Sequence, residues 1–196
     1  MSTAQKTGAW VFICGPSGSG KDSVIAYAQQ ALAARSDIVF TRRFVSRPVH
    51  AGSDHDALTP AAFAALAQAG GLSWHWRAHG FSYGIARHYD EAVGAGCLVI
   101  VNGSREHVNG LPASPDRLVL HITAEPTALA QRLLRRGRDS AEAVARRLER
   151  NADFYAMPAD CVIFNDGELA DAGQQLANYL EESTLSADAG PTQRAR

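Results

Sequence analysis

Gly15-Pro16-Ser17-Gly18-Ser19-Gly20-Lys21-Asp22-Ser23 is the stretch on which the fold turns. A short apolar run, Ala9 to Cys14, precedes it, and a helix-compatible segment from about Asp22 to Ala34 follows. Strand, glycine loop and helix in that order are the setting in which G-x-x-x-x-G-K cradles phosphate. The three glycines allow a tight turn, several N–H groups converge, and the helix N-terminus adds partial positive charge. Lys21 is placed to reach the outer phosphates of a nucleoside triphosphate such as ATP. A glycine turn with a chance lysine is the bland alternative, and the flanking strand and helix count against it. Residues 15–23 are therefore the expected nucleotide-binding segment.

One position departs from the motif. The residue after the lysine is usually Ser or Thr, whose hydroxyl binds magnesium. Here it is Asp22, with Ser23 one place later. A carboxylate beside phosphates is repelled unless a cation lies between them. Either Asp22 faces Mg2+, directly or through water, or it turns away and caps the helix, a role Asp fills well. Ser23 is the next metal candidate.

Outward from this loop, strands and helices alternate. The expected strands are 9–14, 38–45, 72–77, 81–85, 97–101, 117–122 and 161–164. The expected helices are 22–34, 59–70 with Thr59 as cap and Pro60 at the first position, 86–95, a short one after Ser104, 126–135, 140–155 and 169–180. Residues 49–57 read as loop. The alternation predicts a parallel α/β sheet flanked by helices, with ligands at the carboxyl edges of the strands. Ser46-Arg47 and Asn102 fall at that edge with the glycine loop.

Bulk numbers narrow the function. A chain of 196 residues supports one domain with a sizeable core. A net charge of −1 gives no global attraction to nucleic acid or membrane, so neither is an expected partner. Lys6 and Lys21 are the only lysines among 19 basic residues, an arginine excess that suits phosphate but that codon bias explains equally well. Cys14, Cys97 and Cys161 have neither metal nor disulfide spacing, and Met1–Gly8 has no apolar core, so a cytoplasmic setting is expected.

Two further features carry chemistry. The apolar run Leu98–Val101 ends in Asn102, where many phosphate-loop enzymes place a magnesium-holding acid. Asp22 is an attractive replacement for that carboxylate. Arg132, Arg135, Arg136 and Arg138, with Arg146, Arg147 and Arg150 beyond, form either a turn that closes over a transferring phosphoryl group or a solvated basic face. Asp54-His55-Asp56 reads as a polar loop before a metal cluster, and Trp74 and Trp76 as lobe core before a sugar platform.

Gly15–Lys21, Ser46-Arg47-Pro48, Tyr83-Gly84 and Arg132…Arg136-Gly137…Arg147-Leu148 together resemble the guanylate kinase family in order and spacing, over about residues 9–180. The resemblance implies a P-loop nucleoside-monophosphate-kinase-like fold. One domain, 9–182, carries a small substrate-binding lobe at about 44–86 and a lid at about 135–150, with 1–8 and 183–196 as flexible termini. It implies ATP and Mg2+ as cofactors, and Lys21, Arg136 and Arg147 at the phosphates during transfer. Arg43, Arg47, His50, His55, Tyr83, Asn102 and Ser104 are the acceptor-binding residues it points to. The departures matter as much. The places of the family's guanine-reading acids look like Trp74 and the Val101–Asn102 region, while His50 and His55 stand for an arginine and a tyrosine. Gly-Lys-Asp-Ser, Asp54-His55, Tyr83-Gly84-Ile85 and Val101–Ser104 resemble a branch whose acceptor is a small sugar phosphate. A nucleoside monophosphate kinase with unusual base recognition and a non-catalytic interaction module are the competing classes; the intact glycines and Lys21 speak against the second.

Overall fold

A computed structural model describes residues 8–49, 54–112, 114–135 and 158–188. The glycine loop is held between β1 (Ala9–Cys14) and α1 (Lys21–Ala31). Every residue of β1 is buried, as a strand covered on both faces must be. On one side it pairs in parallel with β7 (Leu98–Asn102), on the other with β8 (Arg117–Thr123). β2 (Ile38–Phe40) and β9 (Cys161–Phe164) complete a five-stranded sheet in the order β2-β7-β1-β8-β9, parallel throughout.

The period of two along β1 sorts the core into two layers. Val11 and Ile13 face α1 and the last helix, α6 (Leu169–Asp188), meeting Val24, Leu176 and Leu180. Trp10, Phe12 and Cys14 face the other way, toward Trp76, Ile85 and Val108. That second layer joins the core sheet to a smaller sheet. Its order is β4-β3-β6-β5, from β3 (Arg43–Val45), β4 (His55–Ala57), β5 (Leu72–Ala78) and β6 (Phe81–Ala86). Among the described residues the remaining helices are α2 (Pro60–Gln68), α3 (Tyr89–Gly94), α4 (Arg105–Asn109) and α5 (Pro126–Arg135). Among the described residues no helix is long and apolar enough to cross a membrane.

Four expectations need correction. The run 38–45 is two strands in different sheets: β2 pairs with β7, and β3 pairs antiparallel with β6. The break falls at Thr41-Arg42. Thr41 donates from both its backbone N and its Oγ1 to the Ile100 carbonyl at 2.9 Å, and the Arg42 N–H donates to the Tyr89 hydroxyl at 3.0 Å. The chain is thus pinned to the core sheet while it changes partner. The segment 49–57 is not all loop, because β4 adds in parallel to β3. The helix expected over 86–95 is shorter, since β6 keeps Ala86. Finally, α6 continues to Asp188 rather than giving way to a loose tail at Ser183. Thr184 is buried and accepts from Arg35 Nη2 at 2.8 Å, and Arg35 also pairs with Asp37 and Glu181. The helix expected over 140–155 and the lid over 135–150 lie, beyond Arg135, outside the described residues. Thr59 and Pro60 start α2 as expected, Thr59 Oγ1 accepting from Ala62 N at 3.1 Å.

Candidate active site

Chain reversal between β1 and α1 forces the loop into backbone conformations that L side chains resist. Gly18 has φ +94° and Gly20 φ +79°, and a Cβ on Gly20 would lie 2.5 Å from Asn165 Nδ2. That contact serves the loop, since Asn165 Nδ2 donates to the Ser19 carbonyl at 2.7 Å from just beyond β9. The loop therefore sits at the carboxyl edge of the parallel sheet, backed by the chain leaving β9.

Asp22 lies in the first turn of α1, but no side chain caps that helix; the N-cap position is Gly20. The Asp22 carboxylate instead accepts from Lys21 Nζ at 2.8 Å and from Asn102 Nδ2 at 2.9 Å. The helix-cap alternative is set aside, and the carboxylate belongs to the cleft. Crowding by the cleft walls acts to raise its pKa. The charge and hydrogen bond of Lys21, the Asn102 amide and the charge of Arg43 outweigh that, holding it well below the usual carboxylate range.

Asn102 is the centre of this arrangement. Its Oδ1 accepts from Lys21 Nζ, and its Nδ2 donates both to Asp22 and, at 3.1 Å, to Asp54 Oδ2. Arg43 donates to both Asp54 oxygens at 2.8 Å and to the Asn102 carbonyl at 3.1 Å. Two cations and two carboxylates thus meet around one neutral residue, Lys21 and both carboxylates at its side-chain amide and Arg43 at its main-chain carbonyl. An acid at position 102 would face two carboxylates with like charge and lose both donated bonds. The carboxylates of this cluster come from the loop and from the lobe, not from β7.

The residues expected from sequence mostly converge. Residues 15–23, Arg43, Arg47, Tyr83 and Ser104 line one cleft of about 550 Å³, together with Trp76, Ala78, His79, Arg105 and Glu106. The Arg47 guanidinium lies 5.6 Å from the Phe81 ring centroid. His55 does not reach the cleft. It is 1% exposed, and its Nε2 lies 3.3 Å from the Arg47 carbonyl, so it supports the strand end that carries Arg47 rather than touching an acceptor. His50, Arg136 and Arg147 lie outside the described residues.

Two features of the site differ from the sequence reading. Asp54, read there as more loop than metal ligand, enters the site beside β3–β4 pairing and meets Asn102 and Arg43. The wall opposite the loop is an aromatic stack: Trp76 lies against Tyr83, with ring centroids 5.6 Å apart and planes 9° apart, and against His107 at 4.8 Å and 16°. Trp74 packs edge-on to Trp10 and Phe12 behind it. Alternation of Trp74 and Trp76 in β5 was the available signal. Burial lowers His107 to about 4, with His75 and Arg117 adding to the effect. Across the loop from this cleft, Gly18, Gly20, Ser23, Arg132, Asn165 and Leu169 border a second, shallower hollow of about 350 Å³.

A parallel sheet in this order, a phosphate loop after its central strand and a four-stranded lobe over its carboxyl edge define a P-loop fold of the guanylate kinase type. A solved guanylate kinase from Anaplasma phagocytophilum superimposes with a TM-score of 0.69, covering 94% of this chain and 90% of its own, at 17% sequence identity. No protein-family model matches the chain. Curated relatives resolve the branch. The chain is 42% identical over 180 residues to the ribose 1,5-bisphosphate phosphokinase PhnN of Chromobacterium violaceum, covering 90% of this chain and 96% of that one. It is 41% identical over 178 residues to the protein of that name from Burkholderia mallei, covering 87% and 94%. A further relative of that name, from Laribacter hongkongensis, is 43% identical over 185 residues, but the chain spans only 44% of its length. The chain belongs to the ribose 1,5-bisphosphate phosphokinase PhnN family.

Proposed function

We propose that this chain transfers the γ-phosphoryl group of ATP to the 1-phosphate of ribose 1,5-bisphosphate, releasing ADP and 5-phospho-α-D-ribosyl 1-diphosphate. The observation that carries this reading is the cleft itself: cations for phosphate at both ends, and aromatic carbon where a base-reading carboxylate would stand. Lys21 and the loop N–H groups hold the donor's phosphates. Arg43 and Arg47 lie on the lobe side, where an acceptor's phosphate binds. The hollow beside Asn165 and Arg132 suits the donor's nucleoside.

The nucleophile in this reaction is a phosphate oxygen. It already carries charge at neutral pH, so no general base is required. One bond from γ-phosphorus to the bridging oxygen of ATP breaks, and one to the acceptor oxygen forms. What remains for the chain is positioning and neutralisation of repulsion between two anionic groups. Asp22 and Asp54, whose carboxylates converge on one amide, fit the oxygen-donor preference of magnesium, with Ser23 beside them. A bound magnesium ion would supply charge neutralisation between the phosphates. Arg136 and Arg147 complete the reading as lid residues that close over the transferred group. The setting is cytoplasmic, in keeping with three free cysteines.

The test is ADP release over ribose 1,5-bisphosphate, ribose 5-phosphate, AMP and GMP, with Lys21→Ala as control. Ribose 1,5-bisphosphate should be the preferred acceptor, and Lys21→Ala should lower its rate about 10²-fold or more with the thermal melt unchanged. Preference for GMP or AMP would overturn the acceptor assignment. A near-normal Lys21→Ala rate would remove the loop from the mechanism.

A further inference from the structure

Trp76 occupies an unusual position for a wall residue. Its indole lies between two other rings, Tyr83 and His107, stacked on both. Tyr83 is its cross-strand partner in the β5–β6 hairpin, and His107 stands on α4, packed against Phe12 and Trp74. His107 is therefore held by Phe12 and Trp74 as well as by the indole, and Tyr83 is placed by the backbone pairing of β6. Trp76 and Tyr83 also line the cleft that Arg43 and Arg47 line. A flat bicycle sandwiched between two aromatic rings, next to phosphate-binding arginines, is the arrangement in which proteins hold a purine by stacking.

We propose that Trp76 is a built-in occupant of a base slot and determines acceptor specificity by excluding nucleoside monophosphates. The inference rests on the acceptor cleft assigned under the proposed function. A nucleoside monophosphate anchored by its phosphate at Arg43 and Arg47 finds the slot filled by an indole of purine size. Its base is then left in water or against the wall. A ribose bisphosphate carries no base and meets no conflict. Beside the slot, β5 offers Trp74 in place of a carboxylate, so nothing there reads a base edge. Emptying the slot should consequently admit purines by stacking alone, adenine and guanine alike.

The experiment compares wild type with Trp76→Ala and Trp76→Leu, each checked by its thermal melt. Two readouts are taken: AMP and GMP binding by calorimetry in the presence of a non-hydrolysable ATP analogue, and ADP release with each acceptor. Trp76→Ala is expected to bind both monophosphates at least about 10-fold more tightly than wild type, the scale of one base–aromatic stacking interaction. Millimolar free indole, by refilling the slot, should reverse that gain. A folded Trp76→Ala with wild-type affinity for AMP and GMP overturns the proposal, as does a gain that indole leaves untouched. If Trp76→Ala loses the native melt, Trp76→Leu, which is smaller than the indole and leaves part of the slot open, carries the test: tighter AMP and GMP binding than wild type supports the proposal, and wild-type affinity overturns it. Binding is read without turnover, so wild type that fails to phosphorylate ribose 1,5-bisphosphate counts against the proposed reaction and not against the slot.

Discussion

Asn102 shows how one neutral side chain organises a charged site. Its amide holds two carboxylates and one ammonium group, the carboxylates at the Nδ2 hydrogens and the ammonium at Oδ1. On the proposed function, a nucleotide's phosphates would take Lys21 from that balance and leave two carboxylates in need of a cation. Asp22→Asn should therefore raise the magnesium concentration needed for half-maximal rate, with partial recovery in manganese and little change in the melt without nucleotide. An unchanged magnesium titration would leave Asp22 without a metal role and move attention to Ser23. A second expectation concerns pH. Burial lowers both His107 and His121 to about 4, below the ordinary value of 6.5. The unfolded chain then takes up protons first as pH falls. Stability fully present above about pH 6.5 should be lost progressively between 6.5 and 4. Urea midpoints that stay flat from pH 7.5 to 4.5, or imidazole resonances already titrated at pH 5.5, would contradict this. Cys14 follows the same logic with the opposite sign, its thiol pushed to about 12 chiefly by burial.

At the scale of elements, two glycines make opposite predictions. Gly173 on α6 faces α1, and a Cβ there would sit 2.4 Å from Tyr27 Cγ and 2.8 Å from Tyr27 Cβ. The Tyr27 Cβ is fixed to the α1 backbone and cannot swing aside. Overpacking of about 1–3 kcal/mol should exceed the gain of about 1 kcal/mol in helix propensity, so Gly173→Ala destabilises. Gly94, in α3, has nothing within 4 Å, so Gly94→Ala should be neutral or stabilising by up to about 1 kcal/mol. Urea denaturation of the two variants reads both signs, and the same sign for both would refute the account. The contrast also shows what a sequence reveals. The glycine loop was legible because its chemistry is written in nine consecutive residues. The break at Thr41-Arg42 was not, because Ile38–Phe40 and Arg43–Val45 are each plausible strand and only their partners, β7 and β6, separate them. The extra turns of α6 depended on Arg35, which lies 146 residues before the Glu181 that it bonds.

Across the whole molecule, the site is a junction between two sheets, which is why the sequence named most of its residues but not which of them touch. Asp22, Asp54 and Asn102 form one constellation from three distant places, and Trp74 and Trp76 read equally as packing until their neighbours are known. The junction is mechanical as well as chemical. Lys21, Asp22 and Asn102 belong to the core, Arg43 and Asp54 to the lobe, and Asp54 is the carboxylate that links them. Its side chain is 52% exposed, so its ion pair with Arg43 is worth at most about 1 kcal/mol, too little to govern global unfolding. It is enough to set how firmly the lobe sits on the core, since local opening draws on free energies far smaller than the whole. Asp54→Ala should therefore leave the global melt within about 1 kcal/mol of wild type while speeding amide exchange in β3 and β6 several-fold more than in β1 and β7. It should raise the KM for ribose 1,5-bisphosphate more than it lowers kcat, because the loosened Arg43 greets an acceptor in more than one orientation. Exchange that rises equally in both sheets, or a kcat loss at constant KM, would show that Asp54 acts elsewhere than at this junction.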